Sequence, residues 1–183
     1  MSNSLWRFSV HAGQWAHENL SDLPINSISR RVEWQDQFIV GAGVSRVLLT
    51  GLPVNVPGLR SARLEFETRV VGHFGLMAYP ELTTAFVLRS QDINLWGGLR
   101  FNVAIGEGLS FAFRTPQLEG VRRERRPQKL LNYLLFEAEF THSSHPGIFL
   151  VPQLHHRSGV FGLIGPRGDG SNYVGLGVRL DLR

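Results

Sequence analysis

The residues best suited to chemistry lie late in the chain. Gln153-Leu154-His155-His156-Arg157-Ser158 reads as one extended segment, in which alternate side chains face opposite sides. Leu150, Pro152 and Leu154 put the even positions on an apolar face. His156 and Ser158 therefore share that face, while Gln153, His155 and Arg157 take the polar one. Two same-face residues on a strand lie about 6.6 Å apart along it, a gap that side chains leaning together can close. An imidazole so placed can take the hydroxyl proton and create a nucleophile, with a carboxylate orienting its other ring nitrogen. By spacing alone His-x-Ser is a weak signal. The plain alternative is an interfacial histidine beside a strand-end serine.

Other chemistry-bearing groups are sparser. Glu107, in Gly106-Glu107-Gly108, is a second candidate acid or a loop-entry charge. His142 and His145 bracket a Ser-Ser-His-Pro turn, but two imidazoles without a third ligand make a poor metal site. The chain of 183 residues has no cysteine, which excludes disulfides, thiolate catalysis and Cys-based metal centres. Its net charge is +4, and every cation except Lys129 is an arginine. The one dense cluster is Arg122-Arg123-Glu124-Arg125-Arg126-Pro127-Gln128-Lys129; the other arginines recur singly between apolar residues. A nucleic-acid binder usually gathers its cations on one surface. The start, Met1-Ser2-Asn3-Ser4, shows no basic segment followed by an apolar core, so the protein is expected either to stay inside the cell or to have lost a signal.

The elements that must position these groups follow from period-two alternation. Val174, Leu176, Val178, Leu180 and Leu182 alternate with Tyr173, Gly175, Gly177, Arg179 and Asp181, and Leu64, Phe66, Thr68 and Val70 alternate with Arg63, Glu65, Glu67 and Arg69. Eight such strands are predicted, at roughly 4–14, 34–49, 60–73, 79–90, 96–107, 129–142, 147–158 and 172–183. No helical period and no internal repeat is evident. At 43% hydrophobic content the sequence predicts a single all-β domain spanning 1–183, with no apolar run long enough for a membrane helix.

Two architectures use eight alternating strands. A soluble barrel or sandwich turns the apolar face inward; an eight-stranded antiparallel transmembrane β-barrel of the outer-membrane type turns it toward lipid. Strand lengths near 10 residues favour the second. So do aromatic residues near strand ends (Trp6, Trp15, Trp34, Tyr79, Trp96, Tyr133, Tyr173), read as interfacial girdles. Charged faces also fit, pairing Arg63, Arg69, Arg100 and Arg179 with Glu65, Glu67, Glu137, Glu139 and Asp181 inside a closed barrel. From a periplasmic N-terminus the outward connections are 15–33, 74–78, 108–128 and 159–171, and the inward ones 50–59, 91–95 and 143–146.

His156-Arg157-Ser158 near the outer end of the penultimate strand, then a Gly-rich loop with Asp169 and Asn172, then the final strand, resembles the lipid A 3-O-deacylase (PagL) family. The motif match covers roughly 155–177. The resemblance implies an outer-membrane barrel that hydrolyses an ester-linked acyl chain of lipid A with a Ser-His-acid triad on its exterior. His156 and Ser158 match the motif directly. Gly159 stands where the family has asparagine, and the family's glutamate falls here between Asp169 and Ser171, so Asp169 is taken as the acid. Backbone N–H groups around Gly159, or the Asn172 amide, would stabilise the oxyanion. The implied partner is lipid A of lipopolysaccharide in the outer leaflet, and Arg122, Arg123, Arg125, Arg126 and Arg167 are candidate phosphate contacts. No metal or cofactor is called for. The rival expectation is a non-catalytic barrel of the same ancestry with a structural or lipopolysaccharide-binding role.

Overall fold

The computed structural model describes residues 5–22, 31–56, 59–119, 127–159 and 170–182. Eight long strands form one antiparallel ring: β1 (Trp6–Ala16), β2 (Trp34–Val56), β3 (Leu59–Gly75), β4 (Tyr79–Ser90), β5 (Leu99–Ala112), β6 (Leu130–His142), β7 (Ile148–Ser158) and β8 (Gly170–Leu182). Neighbours in sequence pair in space, β4 pairs β5, and β1 pairs β8, which closes the barrel. A two-residue ladder, Ile93–Asn94, adds to the start of β5. Both chain ends lie at one rim, where Trp6 pairs Leu182; the opposite rim carries the ends of β1, β3, β5 and β7. Among the described residues no helix is long and apolar enough to cross a membrane.

Alternation decides what each wall faces. Val10, Val70, Phe86, Ile105 and Leu176 point outward and are between 45% and 62% exposed. Arg69, Arg89, Arg179, Glu65, Glu67, Glu137 and Glu139 point inward and are at most 5% exposed. A soluble barrel with an apolar lumen is thereby overturned: the protein is an outer-membrane-type transmembrane β-barrel whose lipid-facing band is its apolar face. The lumen holds a dense ion-pair network. Arg179 donates to Glu67 and Glu137 (both 2.7 Å) and to Glu139. Arg69 joins Glu67 at 2.6 Å and Glu137 at 2.5 Å, and Arg7 reaches Asp181 at 2.9 Å. Arg100 pairs instead with Asp92 near the terminal rim, at 3.5 Å.

Several expectations change. Trp15, Tyr79, Tyr133 and Tyr173 are buried inside the barrel rather than in an interfacial girdle, because each occupies an inward position of its strand. Trp6, Trp34 and Trp96 are exposed. The stretch 50–59 is not a long connection. The β2–β3 ladder continues through Leu52↔Ala62, Pro53↔Ser61 and Val56↔Leu59, with irregularities after Val47 and Leu49 that accommodate a proline lacking its N–H. Strand β5 begins three residues late, after a turn in which Gly97 and Gly98 both have positive φ, and runs through Gly106-Glu107-Gly108 to Ala112. The 108–128 connection is correspondingly shorter, and Glu107 is a mid-strand residue.

Candidate functional site

Strand β7 carries two sets of side chains. His155 and Arg157 point into the lumen, fully buried, and His156 and Ser158 point outward near the rim opposite the termini. The inward pair anchors the strand. Arg157 donates to both oxygens of Glu119 (2.8 and 2.9 Å), to the Ser110 hydroxyl (2.7 Å), to Tyr79 Oη (3.2 Å) and to the Lys129 carbonyl (3.2 Å). His155 meets Glu81 at 3.2 Å, and Glu81 also accepts from Ser110 and from His73, each at 2.5 Å. The backbone between His156 and Ser158 is thus tied to β4, β5 and the segment after β5.

The pairing register assembles the outward face. His156 lies between Leu134 of β6 and Asn172 of β8, and Ser158 between Asn132 of β6 and Gly170 of β8. Gly170 has φ +135°, and a Cβ there would stand 2.7 Å from the Arg157 carbonyl carbon and 3.0 Å from Ser158 Cα. Only glycine lets β8 begin this close to the end of β7. Gly159 follows Ser158 directly and is buried.

The hydrogen bonds of Asn172 fix the histidine. Its Nδ2 donates to the Glu18 carbonyl at 2.7 Å, and a carbonyl can only accept. The amide is therefore oriented with Oδ1 toward His156, where the separation to Nδ1 is 2.5 Å. An amide oxygen is also an acceptor, so Nδ1 carries the proton and Nε2 keeps its lone pair. That is the tautomer a general base needs. The orienting partner is an amide in place of a carboxylate, as in nucleophile-His-Asn sites on other folds.

Asn172, expected as an oxyanion donor, spends one N–H on the Glu18 carbonyl and its oxygen on His156 Nδ1, which also places it to orient the ring. Asp169 lies outside the described residues, as do Arg122, Arg123, Arg125, Arg126 and Arg167. Glu107 faces outward on β5 with β6 between it and His156, in the row Glu107–Leu134–His156, about two strand spacings or 10 Å away. At that spacing it makes no contact with the His156 ring. Among the described residues Ser158 Oγ makes no hydrogen bond to His156; the two stand at the ordinary same-face spacing of a strand.

Asn132 was not anticipated. It faces outward from β6 opposite Ser158 and is 3% exposed. Parity could have found it, since the even positions of β6 short of the terminal His142 are otherwise Leu130, Leu134, Phe136, Ala138 and Phe140. A shallow apolar groove of about 540 Å³ also marks the outer wall, lined by Ala12, Gln14, Phe38, Val40, Val174 and Leu176. It starts at Val174, the next outward residue of β8 after Asn172.

The fold and the outward polar face together define the class: an eight-stranded outer-membrane β-barrel with an imidazole and a hydroxyl on its lipid-facing wall. Among solved structures, the chain is similar to the outer membrane enzyme PagL, with TM-score 0.65 and 11% identity over 96% of this chain and 99% of that one. It is also similar to Neisserial surface protein A, at TM-score 0.50 and 10% identity over 97% and 96%. The N-terminal β-barrel domain of Pseudomonas aeruginosa OprF superposes at TM-score 0.49 and 11% identity, covering 97% of each chain. No family model matches the sequence, and no curated protein matches it significantly. At these identities the likeness concerns the fold, which an enzyme shares with a barrel named only as a surface protein.

Proposed function

We propose that this protein is an outer-membrane esterase that removes the ester-linked acyl chain at the 3-position of lipid A, with Ser158 as nucleophile, His156 as base and Asn172 as positioning residue. The observation that carries the reading is the Asn172 amide fixing the His156 tautomer two residues from a serine, on a wall that otherwise faces hydrocarbon. Polar groups on a lipid face are costly and are retained where something uses them.

In the first step Ser158 Oγ attacks the ester carbonyl while its proton passes to His156 Nε2. The tetrahedral intermediate collapses, the bond to the sugar oxygen breaks, and the imidazolium returns the proton to that oxygen. Water then enters by the reverse sequence, frees the fatty acid and restores the serine. The Asn172 oxygen accepts the hydrogen bond from Nδ1–H throughout, and that proton stays on the ring. A neutral amide stabilises the imidazolium less than a carboxylate would, so slow turnover is expected. Position supports the substrate: with the termini on the periplasmic side, the end of β7 lies at the outer leaflet. The apolar groove starting at Val174 offers hydrocarbon contact beside the site. Arg122, Arg123, Arg125, Arg126 and Arg167 belong to the same proposal as phosphate contacts.

The open Ser158–His156 gap favours a second reading, a barrel that binds lipopolysaccharide without cutting it. Mass spectrometry of fatty acid released from lipid A separates the two. The esterase reading expects release by the parent and none by Ser158→Ala or His156→Ala; equal release by all three, or none by the parent, contradicts it.

A further inference from the structure

Glu107 is an ionisable residue with no structural explanation. It faces lipid from the middle of β5 and is exposed. Ile105 and Leu109 flank it along the strand, and Phe86 and Leu134 lie across from it. Among the described residues nothing hydrogen-bonds or pairs with it. A carboxyl group in hydrocarbon is expensive when unpartnered, and such residues mark ligand or ion sites. The neighbour that points to a ligand is Asn132. It is 97% buried, faces the same way, has no side-chain hydrogen bond among the described residues, and sits one diagonal step from Glu107 and directly opposite Ser158. Diagonal and direct cross-strand neighbours lie about 7–8 Å and 4.5–5.5 Å apart. Glu107, Asn132 and Ser158 thus make a continuous polar track across three strands on an otherwise apolar wall.

The geometry points to a second half of the site, in which Glu107 and Asn132 recognise a lipid carrying a hydrogen-bond donor, an amide N–H or an acyl-chain hydroxyl, next to the ester that Ser158 attacks. This rests on the esterase reading and assigns to Glu107 and Asn132 the recognition of the donor beside the ester, a specificity role that the reaction at Ser158 does not itself require. A carboxyl oxygen accepts from such a donor, and the Asn132 amide supplies two N–H donors and an oxygen acceptor. A second copy of the chain is a poorer occupant. No described strand position facing lipid between the two rims carries a cation that could meet Glu107; Arg46 stands at the terminal rim, paired with Trp6.

The test uses the purified protein in detergent micelles and two glucosamine lipids bearing the same 3-ester. One has its amide N–H and acyl hydroxyls free; in its twin they are capped as N-methyl and O-methyl. The parent should favour the free lipid by about tenfold or more in kcat/KM, because a site built to hydrogen-bond a group rejects the analogue lacking it. Glu107→Leu and Asn132→Leu should each bring the ratio below about threefold. Preference unchanged in both variants overturns the proposal while leaving Ser158-dependent hydrolysis standing. If the parent cleaves neither lipid, the esterase reading fails separately, and binding of both lipids to the parent and to Glu107→Leu decides. Tighter binding of the free lipid that Glu107→Leu abolishes supports the recognition site, and equal binding overturns it. Glu107→Leu should also raise the urea midpoint of unfolding; a lowered midpoint would mean that the carboxylate is kept for the barrel's own stability.

Discussion

At the residue scale, the decisive atom is Asn172 Oδ1. With the amide held by the Glu18 carbonyl, the oxygen can only accept from His156 Nδ1, so one side chain sets both the orientation of the ring and its proton. Asn172→Ala is therefore expected to lower kcat/KM by on the order of 100-fold with little change in KM, since the lost interaction matters most as the imidazolium forms. Steady-state kinetics on an acyl lipid checks the split; a rise in KM alone would place Asn172 in substrate binding. The sequence showed His156 and Ser158 on one face, because parity along a single strand is legible. It did not show their partner, because the His156–Asn172 contact depends on the β7–β8 register. Spacing from the family pattern pointed to Asp169, whereas the cross-strand neighbour of His156 is three residues further on.

At the element scale, the site depends on the outer end of β7, which a buried lumen cluster holds and a glycine allows β8 to approach. Arg157→Leu removes the guanidinium from Glu119 and leaves that buried carboxylate uncompensated. The expected cost is about 3–5 kcal/mol in denaturant unfolding, with activity falling as the strand end loosens. Gly170→Val would force a side chain into the Arg157 backbone at a left-handed position. Its expected result is a folded barrel with β7 and β8 separated at the rim, read as faster amide exchange at Ser158 and Gly170 and loss of fatty-acid release. Strand existence was legible from alternation throughout. Strand ends were not: Gly106-Glu107-Gly108 resembles a turn by composition, yet the ladder to β6 runs through it without a break.

At the scale of the whole molecule, the barrel is an ordinary protein turned inside out, with its charges in the core and its apolar side chains outside. An arginine placed at the lipid-facing position of Val70 should destabilise it by about 2–4 kcal/mol if that residue lies at bilayer mid-depth, measured by reversible unfolding into urea from lipid vesicles. Glu137→Leu should also destabilise it, by withdrawing a shared partner from Arg69, Arg89 and Arg179. This inversion was legible in the charged and apolar faces, although one argument for it failed in detail. Four of the aromatics read as interfacial point inward, where Tyr79 and Tyr173 place their hydroxyls within 3.3 and 3.2 Å of Glu119 and His73.

The central claim is that His156, held by Asn172, activates Ser158 on the lipid-facing wall. Labelling with an alkyl fluorophosphonate, followed by peptide mass spectrometry, tests it most directly. The expected result is a single adduct on Ser158 in the parent, none in Ser158→Ala, and labelling slowed at least about 100-fold in His156→Ala. An adduct on another residue, or labelling of Ser158 at the parent's rate in His156→Ala, would contradict it.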